Sequence, residues 1–439
     1  MRPRGSVGGL GLLVAMALLV PAQAEAQSTD ERRMVPQGTA VRLSALREDS
    51  RYRDTFVREF GSLTPENEMK LEALQPRRGH FAFGAADELV RFARRNDKQI
   101  HGHALVWGLS LPLWLIDHGA TDNLGLRLPP IVLPRLPDAL GETVGTVATT
   151  LTGWRRDELL SVMRNHIDTV VRHFAGDVQE WDVVNEPMAA DGTLAPTVWR
   201  RFIGPDYIDA ALRAARAADP TAKLFINDYS VETPGRKLDG LVDLARDLLA
   251  RGVPLDGVGL QMHTHIAAFP DESAITNTMR RFERLGLEVQ ITEMDVGTSL
   301  LDVALPKRLQ RQAQAYGAAA RACNAVRACT RFTTWGFTDR LSWLGAGESG
   351  LLFDHGYDRK PAYAAVRGAF APLAAKKAQT SSKKRTCRSP AKRAGRSSKR
   401  PVRGTSTRRS CRSSKKRSAP SWKKLTAARR YGSGTELTG

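Results

Sequence analysis

From about residue 40 to residue 370, short apolar runs of strand length alternate with longer stretches whose apolar positions recur every three or four residues. The strand-like runs fall at 60–64, 99–107, 178–184, 223–227, 257–262, 288–292 and 332–337, with a weaker first one at 40–46. The stretches of helical period include 85–95, 156–174, 207–218, 237–251, 273–285 and 306–322. Several of the runs are apolar at nearly every position, the pattern of strands covered by helices on both faces of a parallel sheet. Eight strand–helix units are the count of a (β/α)8 barrel, so the predicted class is α/β, a single TIM barrel.

Two of the runs end on acid groups. One reads Trp181-Asp182-Val183-Val184-Asn185-Glu186-Pro187 and the other Val289-Gln290-Ile291-Thr292-Glu293-Met294-Asp295. Barrels of this kind carry their chemistry at the carboxyl ends of the strands. Two carboxylates facing each other across a pocket there are the minimum equipment for hydrolysing a glycosidic bond. One connection is unusually long. Between Trp114 and Trp154 the chain passes through a Pro- and Leu-rich segment, 126–137, and then 141–152. It follows the third strand and is expected to overhang the catalytic face, since a loop of this length in a compact domain is functional or disordered.

Composition divides the chain unevenly. From Lys376 to the end there are 22 of the 66 basic residues and one acid, near +21; the rest holds 44 basic against 45 acidic, near −1. Nothing in the composition of residues 1–375 therefore suggests a polyanion-binding surface. The tail, 374–439, is dominated by Ser, Lys, Arg, Thr and Pro with Trp422 and Tyr431 as its aromatics, and it cannot bury enough apolar surface to fold alone. It is expected to be a disordered appendage, either inert or an anchor on anionic cell-surface polymer. Nucleic acid is disfavoured as a target because interleaved aromatics are scarce and the chain has an export layout. That layout is Arg2 and Arg4 before the apolar stretch 7–20, then small-residue cleavage options at Ala22-Gln23-Ala24 or Ala24-Glu25-Ala26. The apolar stretch falls short of the roughly 20 residues a membrane span needs. Residues 1–26 are read as a secretory signal and 27–373 as the barrel, so the expectation is a secreted monomer, extracellular or periplasmic, without a membrane span once the signal is removed, and held at the cell surface if the tail is an anchor. Export permits disulfides, and Cys323 and Cys329 are expected to pair; Cys387 and Cys411, in the tail, have only each other.

The polar motifs at the strand ends resemble those of glycoside hydrolase family 10, the endo-β-1,4-xylanases, over roughly residues 40–370. They are, in order, Thr64-Pro65-Glu66-Asn67-Glu68-Met69-Lys70, His101-Gly102-His103-Ala104-Leu105-Val106-Trp107, the Trp181–Pro187 run, Asn227-Asp228-Tyr229, Gly259-Leu260-Gln261-Met262-His263, the Ile291–Asp295 run and Thr334-Trp335-Gly336-Phe337-Thr338-Asp339. The closing Lys360-Pro361-Ala362-Tyr363 is similar as well. The resemblance implies a retaining enzyme with Glu186 as acid/base and Glu293 as nucleophile, on xylan, another β-1,4-linked glycan or short xylo-oligosaccharides. No metal or cofactor is implied, and no His/Cys cluster with ligand spacing occurs in the barrel. A retaining mechanism needs one carboxylate to attack and one acid to protonate the leaving oxygen. His263 would partner Glu293 and Asp295 would orient that imidazole, keeping Glu293 ionised opposite a protonated Glu186.

By the same resemblance, Asn185 meets the sugar 2-hydroxyl, and Glu66, Asn67 and Lys70 grip hydroxyls on the glycone side; read alone, those three also suit a capping box with a solvated charge run. His103, Trp107, Gln261, Trp335 and Trp343 would wall the sugar beside the cleaved bond, where a pyranose packs flat on an indole. Tyr229 fits a core position or an aglycone contact equally. His265 has no motif counterpart and is read as a loop residue. The chain departs from the family after Trp107, where His-Ser-Gln is replaced by Gly108-Leu109-Ser110, and at Leu71, where Trp is usual. Both changes touch the glycone subsites and leave the hydrolytic pair alone.

Overall fold

The computed structural model describes residues 35–116, 153–345 and 347–371. The expected signal, most of the connection after Trp114, and the basic tail with Cys387 and Cys411 lie outside the described residues. The strands are β1 (Gln37–Val41), β2 (Ser62–Pro65), β3 (Gln99–Trp107), β4 (Glu180–Asn185), β5 (Lys223–Asp228), β6 (Gly257–Leu260), β7 (His263–His265), β8 (Glu288–Gly297) and β9 (Cys329–Thr334). Neighbours run in the order β6-β5-β4-β3-β2-β1-β9-β8, and β6 pairs β8, so eight strands close on themselves. Every named strand pair is parallel. The short β7 lies outside the ring and pairs only the far end of β8, placing His263 opposite Asp295. This is a (β/α)8 barrel.

Helices cover the barrel with one apolar face each. In Arg156–His173 the buried side chains are Leu159, Met163, His166, Ile167, Val170 and Val171. Tyr207–Ala218 buries Ile208, Ala211, Leu212 and Ala215 in the same way. The three- and four-residue spacing of these positions is what puts them on one stripe. Trp181 of β4 points out into this layer, 6.2 Å from Phe174 by ring centroids. Its indole fills the space a side chain at Gly102 of β3 would occupy: a Cβ there would lie 2.2 Å from the ring. Tyr52, Phe56, Phe60, Phe337 and Phe353 form an aromatic cluster, with Tyr52 and Phe337 4.4 Å apart, which packs the first helices against the last strand's loop.

Cys323 and Cys329 are joined, as expected, tying the end of the helix Leu305–Ala325 to the start of β9. Several boundaries differ from the sequence reading: β8 runs five residues further, to Gly297, and the first and last strands are displaced. The first strand ends at Val41, and the rest of its apolar run becomes the helix Leu43–Glu48, burying Leu43, Ala45 and Leu46. The last strand is Cys329–Thr334, three residues earlier than the apolar run 332–337 suggests. Trp335 and Phe337 are buried in the loop beyond it.

Candidate active site

The predicted catalytic residues converge where β4, β5, β6 and β8 end. Glu186 is the first residue after β4 and has φ +55°, the left-handed region. Its N–H donates to Asn227 O at 2.7 Å, and the Met188 N–H donates to Asp228 Oδ2 at 3.0 Å, so β5 holds the turn. Trp107 Nε1 donates to Glu186 Oε2 at 2.9 Å, and Gln261 Nε2 lies 3.1 Å from Oε1. Glu293 stands inside β8, which runs four residues further to Gly297, at a shift in register with β9. One of its oxygens accepts from Asn227 Nδ2 at 2.7 Å and the other is 3.1 Å from His263 Nε2.

The two carboxylates are linked by a chain of amides. Asn227 Nδ2 donates to Asn185 Oδ1 at 2.9 Å as well as to Glu293, and Gln261 Nε2 reaches the same Asn185 oxygen at 3.4 Å and Glu186. The Thr292 hydroxyl donates to Asn227 Oδ1 at 2.7 Å, which fixes the direction of the chain. With Asn185 Oδ1 occupied, its NH2 is the end left to meet a sugar hydroxyl. Neither Asn227 nor Thr292 has a role in the sequence reading, although both stand in quoted motifs. Their signal is positional: both are polar residues inside apolar strands beside a candidate carboxylate.

The supporting residues gather around this pair. His263 Nδ1 lies 2.7 Å from Asp295 Oδ2, and Trp343 Nε1 donates to that oxygen at 2.7 Å. Trp343 and Trp335 stand edge-on to the His263 ring at 5.1 and 6.3 Å, and Trp335 also meets His103 at 5.0 Å. Trp107 is held by a bond from Trp199 Nε1 to its carbonyl, and Lys70 Nζ is 5.3 Å from the Trp107 ring. Lys70 also donates to Asn67 Oδ1 at 3.0 Å. Arg42, from the end of β1, forks onto both oxygens of Glu66 at 2.7 Å; no sequence signal had marked it. Glu68 caps the Leu43 N–H at 2.8 Å, a structural role. Tyr229 is half-buried with Lys237 Nζ 3.1 Å from its ring centroid, and Lys237 pairs with the buried Asp228 at 2.9 Å. Burial pushes the Asp228 carboxyl up to about 7 against the pull of Lys237. His265 lies on β7, where its ring nitrogens sit 3.1 Å from the Ala267 and Leu300 amides, so it braces the loop after β8.

Amide donors and an imidazole on one carboxylate, an indole and an amide on the other, and indoles on the walls suit a sugar ring held between an acid and a nucleophile. The family model for glycosyl hydrolase family 10 matches residues 26–369. The chain belongs to that family and is a glycoside hydrolase. It is 37% identical to endo-1,4-beta-xylanase B of Thermotoga neapolitana over 74% of this chain and 84% of that protein. It is 35% identical to an endo-1,4-beta-xylanase of Agaricus bisporus, over 70% of this chain and 82% of the relative. Among solved structures, native xylanase 10B from Thermotoga maritima aligns with a TM-score of 0.67 and 34% identity, covering 79% of this chain and 97% of that one. Xylanase 10B from Thermotoga petrophila in complex with xylobiose aligns at 0.66 and 34%, covering 77% and 94%.

Proposed function

We propose that this glycoside hydrolase is a secreted endo-1,4-β-xylanase that cleaves xylan with retention, Glu186 acting as acid/base and Glu293 as nucleophile. The observation that carries the reading is a pair of carboxylates, each held on both oxygens and joined through Asn185, Asn227 and Gln261. Glu293 is aimed by Asn227 and His263, and Glu186 by Trp107 and Gln261. The xylanase relatives and the xylobiose-bound neighbour support xylan as the substrate class. In the first step Glu293 attacks the anomeric carbon as the glycosidic bond breaks, and the Glu186 proton passes to the leaving oxygen. In the second, Glu186 takes a proton from water, which displaces Glu293 from the sugar. Asn185 donates to the 2-hydroxyl in both transition states.

A preference for short xylo-oligosaccharides is favoured by one local feature. Leu71 is buried at the start of the helix Leu71–Leu74, and the Ser110 carbonyl is taken by the Glu72 N–H at 3.2 Å, so neither supplies a long polar arm at the distal glycone end. The test is release of reducing ends from xylan, mixed-linkage glucan, cellulose and mannan by the purified chain. Xylan and xylo-oligosaccharides should be cleaved fastest; faster cleavage of a hexose polymer would refute the substrate class.

A further inference from the structure

The barrel interior beneath the sugar site is charged. His101 and His103 alternate on β3, and Glu180 and Asp182 face them on β4 in matching register. The His101 ring lies between the two carboxylates, Nδ1 3.2 Å from Glu180 Oε2 and Nε2 3.0 Å from Asp182 Oδ2, the latter off the ideal hydrogen-bond line. The same Asp182 oxygen is 2.9 Å from His103 Nδ1. Glu180 is covered from β9 by Arg331 at 2.9 Å and from β8 by Gln290 at 2.8 Å, and Phe225 of β5 lies 6.0 Å from the His101 ring. The charged and titratable groups facing His101 are thus Glu180, Asp182, Arg331 and His103, all buried.

Two carboxylates and one guanidinium leave a net negative charge, and an uncompensated buried charge is strongly destabilising. An imidazolium at 101 restores neutrality and supplies one N–H to each carboxylate. Asp182 is then held in place by His101 on the same Oδ2 that accepts the His103 Nδ1–H. That fixes the His103 tautomer, whose Nε2 becomes an acceptor beside Trp335 and Trp107.

We propose that His101 is a positioning residue for the sugar site: as a buried imidazolium it pins Asp182, and through Asp182 it orients His103 toward the substrate. The proposal rests on the xylanase reading. Burial works against the charged form, but Asp182 and Glu180 outweigh it and raise the His101 pKa from its usual 6.5 to about 9. Above that value one imidazole N–H must serve two carboxylates, and His103 loses its fixed partner.

The experiment measures kcat and KM on 2,4-dinitrophenyl β-xylobioside, whose leaving group departs without a proton, so the acid's own titration does not shape kcat/KM. The full chain, His101→Arg and His101→Gln are compared from pH 6 to 10.5, with circular dichroism confirming the fold of each sample. Wild-type kcat/KM should fall about tenfold per pH unit above about pH 9. His101→Arg keeps the charge and should be active without that fall. His101→Gln should lose about 10- to 100-fold at neutral pH, mainly in kcat, because a charged hydrogen-bond partner is gone. A wild-type rate flat to pH 10.5, or a folded His101→Gln with wild-type kinetics, overturns the proposal. If His101→Gln does not fold, His101→Arg decides, since an active variant retaining the wild-type fall also overturns it. A wild type inactive on the xylobioside but active on another glycan would overturn the substrate reading, and this proposal with it.

Discussion

Glu186 occupies the left-handed region at φ +55°, which costs a non-glycine residue about 1–2 kcal/mol. Such strain persists only where neighbours over-determine it. Here the Glu186 and Met188 amides are both tied to β5, so the acid is aimed by the fold and not by its own preference. Glu186→Gln should lower turnover on xylan by about 10²- to 10⁴-fold, the usual contribution of a general acid. Glu293→Gln should lose at least as much on every substrate. With a good leaving group, azide should rescue Glu186→Ala to the β-glycosyl azide, whereas any azide product of Glu293→Ala should be the α-glycosyl azide; wild-type turnover in either Gln variant would contradict the assignment. Asp182 sets a second residue-scale expectation. Burial would raise its carboxyl, but the His101 charge and the N–H groups of both imidazoles hold it down at about 2, against an ordinary 3.8. The sign follows: its stabilising contribution is complete above about pH 4 and is lost as the pH falls through 2. Thermal melts should show stability declining over that window, and Asp182→Asn should flatten the decline.

At the scale of elements, the turn after β3 carries one of the two departures from the family motifs, and packing obstructs a change back to His-Ser-Gln. A Cβ at Gly108 would stand 2.7 Å from Thr197 Cγ2, and Thr197 caps the helix Val198–Phe202 by accepting from the Arg200 N–H at 3.2 Å. Changing Gly108-Leu109-Ser110 to His-Ser-Gln should therefore gain little unless Thr197→Ser removes the methyl and keeps the capping hydroxyl. The combined variant should raise kcat/KM on xylotetraose and longer chains relative to the graft alone; equal values would show that Thr197 is no obstacle. The sequence made much at this scale legible. The strand 99–107 and the helix 207–218 match the observed elements residue for residue, because residues that break each pattern flank it: Lys98 and Gly108 for the strand, Asp206 and Asp219 for the helix. The first and last strands were displaced for one reason: apolar character reports burial, and Leu43, Leu46, Trp335 and Phe337 are buried outside strands. In the site, motif positions were legible, while contacts among β4, β5, β6 and β8 were not. The Asn227 amide link and the Arg42 fork join residues tens of positions apart, with nothing local to mark them.

At the scale of the whole molecule, a barrel sequence near −1 continues into a tail near +21. We propose from this charge composition that the tail acts apart from the barrel, so truncation after Ala375 should leave the barrel's Tm and its kinetics on small glycosides unchanged. Binding of the full chain to anionic cell-wall material should exceed that of the truncated form and weaken steeply with salt, since exposed charges interact over a Debye length of about 8 Å at physiological ionic strength. Equal binding by the two forms would remove the anchor reading, and a fall in Tm on truncation would show that the tail supports the barrel. The central claim is that this chain cleaves xylan by double displacement between Glu186 and Glu293. Proton NMR of the anomeric signals during the first minutes of xylohexaose hydrolysis tests it most directly. Retention requires internal cleavage with the β-anomer appearing first and the α-anomer growing in only by mutarotation; first appearance of the α-anomer, or no cleavage, would rule out double displacement on this substrate.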